Sequence, residues 1–172
     1  MLAFVFERNH GKLKSRLIRA ILGGSTREDI AALTRRFLDA KGTGLFHAKA
    51  LAALESHRAR GDYLVILSAS TDNYVPAIGA RLGVDEVIST VLLWNGDRLD
   101  GALASPNRRG AEKTRCVEEL RARHPGARFA AYGNAGSDID HLRLVEDGLL
   151  VNASTADRAR AEAVGLPTAD WR

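Results

Sequence analysis

Tyr63-Leu64-Val65-Ile66-Leu67 is a short, continuous apolar run that gives way at once to Ser68-Ala69-Ser70-Thr71. A run without polar alternation suits a strand buried on both faces, the situation in a parallel sheet covered by helices. The chain beyond Thr71 keeps that rhythm. Tyr74 to Leu82 reads as a helix closed by Gly83, and Glu86-Val87-Ile88 as a short strand. Thr90 to Trp94 and Leu99 to Ala104 flank Asn95-Gly96-Asp97, a hairpin signal. Helix resumes from Ala111 to Arg123, strand from Arg128 to Tyr132, helix near Asp138 to Leu144, and strand from Gly148 to Val151. Alternation of this kind predicts an α/β fold, with ligands at the carboxyl ends of mostly parallel strands.

The first 60 residues differ. Leu13, Leu17, Ile18 and Leu22 recur at helical spacing with Lys12, Lys14, Arg16 and Arg19 on other faces, and Gly23-Gly24 ends the segment. Ser25-Thr26 ahead of Arg27-Glu28-Asp29 predicts a capped second helix with its stripe at Ile30, Leu33, Phe37 and Leu38, running to Gly42. A third helix is expected from Leu45 to Arg60, stopping at Gly61. Residues 1–60 carry twelve Lys/Arg against five Asp/Glu, and the remainder thirteen against sixteen. A basic helical front could meet nucleic acid, anionic lipid or a phosphorylated substrate, or be a solvated face. Aromatic residues are not interleaved with its charges, so no nucleic acid is expected.

At 172 residues and 45% hydrophobic content the chain can bury one sizeable core. No apolar run approaches the length of a membrane span, and the opening Leu2–Phe6 stretch lacks a basic leader, so the chain reads as cytoplasmic. Cys116 is the single cysteine and reads as an ordinary helix residue.

Three places join a strand end to polar residues. Ser68-Ala69-Ser70-Thr71 could cradle an anion or cap the next helix. Lys113, in the first turn of a helix opened by Gly110-Ala111-Glu112, opposes the helix dipole; it faces either a phosphate or solvent beside Glu112. Gly133-Asn134-Ala135-Gly136-Ser137-Asp138 offers hard oxygen ligands suited to Mg²⁺, or a turn with an Asp cap. Asp140 and His141 read as surface residues.

In this order, the serine after a strand, the lysine opening a later helix and the Gly-Asn-x-x-x-Asp turn resemble motifs two, three and four of the haloacid dehalogenase (HAD) phosphohydrolases. Leu17 to Gly24, Ser105 to Lys113 and Leu149-Leu150-Val151-Asn152 look like the phosphoserine-phosphatase-like subfamily with a helical cap. The resemblance implies a Rossmann-like three-layer sandwich over residues 61–172 and a partial helical cap over residues 1–60. It also implies Mg²⁺-dependent hydrolysis of a small phosphorylated substrate through an aspartyl-phosphate. Ser68 and Lys113 take catalytic positions; Ser68, Ala69 and Lys113 bind the phosphoryl group; Asn134 and Asp138 hold Mg²⁺, Asn134 standing where the family has an acid.

The family's nucleophile motif, Asp-x-Asp-x-Thr after a first strand, has no counterpart, because no aspartate precedes Asp29. Either Leu2–Phe6 replaces that strand, with Glu7 or Asn9 at the acid positions, or the chain begins downstream of the true start; truncation is the expected case. The chain is then a phosphatase inactive as it stands, a catalytically dead phosphate-binding module, or a basic helical surface for nucleic acid or anionic lipid. Loss of a central strand predicts self-association through an exposed sheet edge.

Overall fold

The computed structural model describes residues 10–172, so the Leu2–Phe6 run and the Glu7 and Asn9 positions lie outside the described residues. Three helices come first, α1 (His10–Leu22), α2 (Arg27–Lys41) and α3 (Ala48–Ala59). The chain continues through β1 (Val65–Thr71), α4 (Val75–Leu82), β2 (Glu86–Thr90), β3 (Leu92–Asn95), β4 (Arg98–Leu103) and α5 (Ala111–Arg123). It closes with β5 (Ala130–Gly133), α6 (Ile139–Leu142), β6 (Asp147–Val151), α7 (Thr155–Glu162) and β7 (Thr168–Ala169).

Local chemistry fixes where α2 starts. Thr26 Oγ1 accepts the Asp29 amide at 3.0 Å while Asp29 Oδ2 accepts the Thr26 amide at 3.0 Å, so two backbone donors at the helix start are satisfied reciprocally. The first two helices are seated on the β3–β4 hairpin. Ile30 of α2 is buried with Leu92 and Leu99, and Ile18 and Leu22 of α1 pack against the same cluster. Gly101 of β4 makes this seat possible. Its φ is 89°, and a Cβ there would lie 2.7 Å from the Arg19 backbone, so only glycine lets α1 approach the strand this closely.

The strands fall into separate ladders. β1 pairs with β2 in parallel, through Val65↔Glu86 and Leu67↔Ile88. β5, β6 and β7 form a second parallel sheet, through Tyr132↔Leu149 and Val151↔Ala169. Among the described residues no ladder joins β1 to β5. This corrects the expectation that Tyr63–Leu67 is buried on both faces: Tyr63 is exposed and Val65 to Ser70 are only half-buried, and among the described residues β1 is paired along one edge, by β2. His57 links α3 to β5, with Nδ1 2.7 Å from Asp62 and Nε2 2.8 Å from the Tyr132 hydroxyl.

Two elements come after Val151 where the sequence suggested none. Ser154 Oγ accepts the Asp157 amide at 3.1 Å and starts α7, whose Ala161 is fully buried against Ile139, Leu142, Leu150 and Leu166. The architecture is α/β, with parallel strands, covering helices and an antiparallel hairpin beneath α1 and α2. Among the described residues no helix is long and apolar enough to cross a membrane.

Candidate functional site

Ser68 does not come after a strand; it lies inside one. The β1–β2 register steps from Leu67↔Ile88 to Thr71↔Thr90, four residues against two, so Ser68, Ala69 and Ser70 form a bulge that prolongs β1 to Thr71. Within it, Ser68 Oγ accepts the Ser70 amide at 3.1 Å. The Ala69 carbonyl turns to the next strand and accepts Thr90 Oγ1 at 2.9 Å. Thr90 is fully buried, and its hydroxyl also accepts the Arg108 amide at 3.1 Å. One hydroxyl therefore fastens the β1 bulge and the end of β2 to the loop that leads into α5.

Lys113 stands in the first turn of α5, where Gly110 provides no side-chain cap. Its Nζ donates to Asp138 Oδ1 at 2.8 Å, and both side chains are largely buried. Asp138 Oδ2 accepts the amides of Asn134 at 3.1 Å and Ala135 at 3.2 Å, so the carboxylate also braces the turn after β5. Burial works against the Asp138 charge, but Lys113 and the Asn134 amide outweigh it and hold its pKa below the usual carboxylate value. The Asn134 side chain is exposed and, among the described residues, has no hydrogen-bond partner. Ser68 makes no direct bond to Lys113 or Asp138; the Thr90–Arg108 link and the start of α5 connect the two clusters.

His141 corrects the surface reading. It is 4% exposed, although its neighbour Asp140 faces solvent. Burial and then the Lys113 charge push its pKa down to about 4, so the imidazole is neutral near pH 7, and among the described residues its buried Nδ1 has no hydrogen-bond partner.

The sequence offered no reason to single out Lys14. From α1 its Nζ donates to Asn107 Oδ1 at 2.5 Å and to the Ala69 carbonyl. Burial and then the nearby Arg109 charge lower its pKa. These groups line an open hollow of about 370 Å³ between α1 and the bulge, with Leu13 and Leu17 as its apolar wall. A neighbouring hollow of about 630 Å³ shares His10, Asn107 and Arg109 and adds Ser15 and Ser105. Neither is lined by Lys113, Asn134 or Asp138; Ala69 is the sequence-identified residue that faces the smaller one.

Among the described residues no group of three His, Cys, Asp or Glu could enclose a metal. Mg²⁺ is often held by one or two carboxylates, phosphate oxygens and water rather than by a protein cage. Both Asp138 oxygens already accept hydrogen bonds, Oδ1 from Lys113 and Oδ2 from the Asn134 and Ala135 amides.

The chain is 35% identical over 149 residues to the protein CicA of Caulobacter vibrioides, an overlap of 86% of this chain and 66% of CicA. It thus spans just under two thirds of that relative's length. Among solved structures, a Bordetella pertussis Tohama I protein of unknown function superimposes with a TM-score of 0.81 at 20% identity, covering 92% of this chain and 73% of that one. A phosphoserine phosphatase with a phospho-aspartyl intermediate analogue gives 0.68 at 14% identity, covering 95% and 73%. These two likenesses are of fold. The sequence pattern of haloacid dehalogenase-like hydrolases matches residues 4–143, and the chain belongs to that family.

Proposed function

We propose that this chain carries the phosphoryl-binding half of a Mg²⁺-dependent phosphomonoester hydrolase, and that it binds phosphate without turning a phosphomonoester over. The supporting observation is the Lys113–Asp138 pair at 2.8 Å, a cation in the first turn of α5 held by an acid from the turn after β5. In this reading the Ser68 hydroxyl and the bulge backbone at Ala69 orient the phosphoryl group, and the Lys113 ammonium offsets charge on its oxygens. Asn134 and Asp138 would hold Mg²⁺, which supplies further charge neutralisation when bound. Residues 1–60 serve as the helical cap and residues 61–172 as the core. A small phosphorylated molecule is the substrate class, and the nucleophile is the part lacking, since no aspartate precedes Asp29.

Calorimetric titration with inorganic phosphate, with and without MgCl₂, tests the binding half. Lys113→Ala is expected to weaken binding by about tenfold or more, the scale of one charge-assisted hydrogen bond. Aryl phosphate turnover with Mg²⁺ should not exceed that of a Ser68→Ala/Lys113→Ala double variant. Turnover above that level would overturn the inactive reading and make Glu7 the residue to replace next. A chain with an Asp-x-Asp-bearing strand fused ahead of Met1 separates the two remaining readings: a phosphatase gains turnover, whereas a dedicated binding module does not.

A further inference from the structure

Lys14 and Arg109 both line the 370 Å³ hollow between α1 and the Ser68–Ser70 bulge, with His10 as its remaining titratable group. Among the described residues no Asp or Glu lines this hollow or its neighbour. The volume is that of a small-molecule site.

Lys14 is fixed without being neutralised. Its acceptors come from two elements, the Ala69 carbonyl of β1 and Asn107 Oδ1 of the loop before α5, and both are neutral oxygens. A solvated lysine on a helix face needs no such anchors. An ammonium has three donors, so one is left over. Burial and the Arg109 charge both work against the protonated form, and an anion in the hollow would offset both.

Two further groups beside Lys14 have donors to offer. The bond from Lys14 orients the Asn107 amide: with Oδ1 accepting, its NH₂ group has no acceptor among the described residues. Arg109 is exposed and bonds through its backbone amide, to the Asn107 carbonyl at 2.6 Å, so among the described residues its guanidinium fork is unfilled. One Lys14 donor, the Asn107 NH₂ and the two-pronged Arg109 fork match the roughly four lone-pair sites of a carboxylate.

We propose that the hollow receives a carboxylate carried by the phosphorylated substrate itself, bound by Lys14, Asn107 and Arg109, while Leu13 and Leu17 border the short carbon chain between the two anions. The proposal rests on the phosphoryl-binding reading, since Ala69 belongs both to the bulge that orients the phosphoryl group there and to the wall of the hollow. It narrows the substrate class to phosphomonoesters with a carboxylate and no ammonium beside it. An ammonium would meet two cations and no acid.

Calorimetric titration in metal-free buffer compares three ligands on one carbon skeleton. Glycerol 3-phosphate has no carboxylate, 3-phosphoglycerate has one, and phosphoserine puts an ammonium in place of the hydroxyl of 3-phosphoglycerate. The second is expected to bind at least about tenfold more tightly than the first, the scale of one charge-assisted hydrogen bond, and phosphoserine to lose most of that gain. Arg109→Gln should shrink the ratio of the first two affinities, and Arg109→Lys should retain most of it. Arg16→Gln removes the same charge from α1 outside the hollow and should leave the ratio as in wild type. Equal affinities for the first two ligands overturn the proposal, as does a ratio insensitive to Arg109→Gln or phosphoserine bound as tightly as 3-phosphoglycerate. The phosphoryl reading fails separately, when Lys113→Ala leaves the affinity for inorganic phosphate unchanged. In that case 3-phosphoglycerate binding that still depends on Arg109 supports a carboxylate site in the hollow, and its absence removes both.

Discussion

Lys113 and Asp138 are joined at 2.8 Å across the junction of α5 with the turn after β5, and the second Asp138 oxygen is held by the amides of Asn134 and Ala135. One acid therefore supports a cation and a backbone turn together. Removing either partner leaves a charge or backbone donors poorly satisfied in a largely buried place. Lys113→Met is expected to lower unfolding stability by about 3 kcal/mol, the low end of the cost of breaking a buried pair. Asp138→Ala should cost more, because two amide donors lose their acceptor as well. Urea denaturation at neutral pH measures both, and an Asp138→Ala protein as stable as wild type would remove Asp138 from this supporting role.

Acid should weaken the fold in two successive windows. His141 has a folded pKa of about 4 against an ordinary 6.5, so between these values the unfolded chain binds more protons and stability falls as pH falls. At 1.36 kcal/mol per pK unit the loss is about 3 kcal/mol by the lower end of that window. Asp138 shares the preference for the deprotonated form, as a charged carboxylate rather than a neutral ring: its contribution is present above the ordinary carboxylate value of 3.8 and is lost at lower pH, as the carboxyl protonates. Urea melts at pH 7 and pH 5 in chelator-containing buffer address the first window. His141→Met should flatten it, and an unchanged slope in that variant would assign the titration elsewhere.

Much of this architecture is legible in local patterns, since α5 begins and ends where its periodicity does and the Asn95-Gly96-Asp97 signal marks the hairpin turn. Features that depend on neighbours are not legible. Ser68 has the same sequence surroundings whether it ends a strand or sits in a bulge, and only the offset of β2 decides that. Lys14 reads as one cation of an amphipathic helix until the Ser105–Gly110 loop brings Asn107 to it. His141 lies on a segment too short for a periodic signal, so its burial depends on α5 packing across α6. The Ser154-Thr155-Ala156-Asp157 cap was available as a start signal for α7, but the helix it opens is too polar to display an apolar stripe.

The start of α2 gives a purely local prediction. Thr26→Ala removes the acceptor for the Asp29 amide and should cost about 1 kcal/mol. Asp29→Ala leaves the Thr26 amide without its carboxylate partner at 3.0 Å and should cost a similar amount or less. Because the two residues act as one reciprocal unit, the double variant should lose less than the sum of the single losses. Urea midpoints of the four proteins close the cycle, and strict additivity would mean that the two bonds act independently.

The separation of β1 from β5 leads to the last prediction. Each strand is hydrogen-bonded along one edge among the described residues, by β2 and by β6. Among the described residues no strand pairs with the other edge, and an open edge offers a row of backbone donors and acceptors to a second chain. Parts of both strands are also incompletely buried, so pairing would remove apolar surface from water as well. Self-association is therefore expected to increase with concentration, read as a rising mass by size-exclusion chromatography with light scattering. Ala130, exposed on β5, is the place to test the edge, because Lys there adds a solvated charge without filling the core. Ala130→Lys should shift the mass toward the monomer and leave the melt unchanged. A wild-type protein that stays monomeric across the whole concentration series would sink the edge-pairing prediction, whatever the behaviour of the variant.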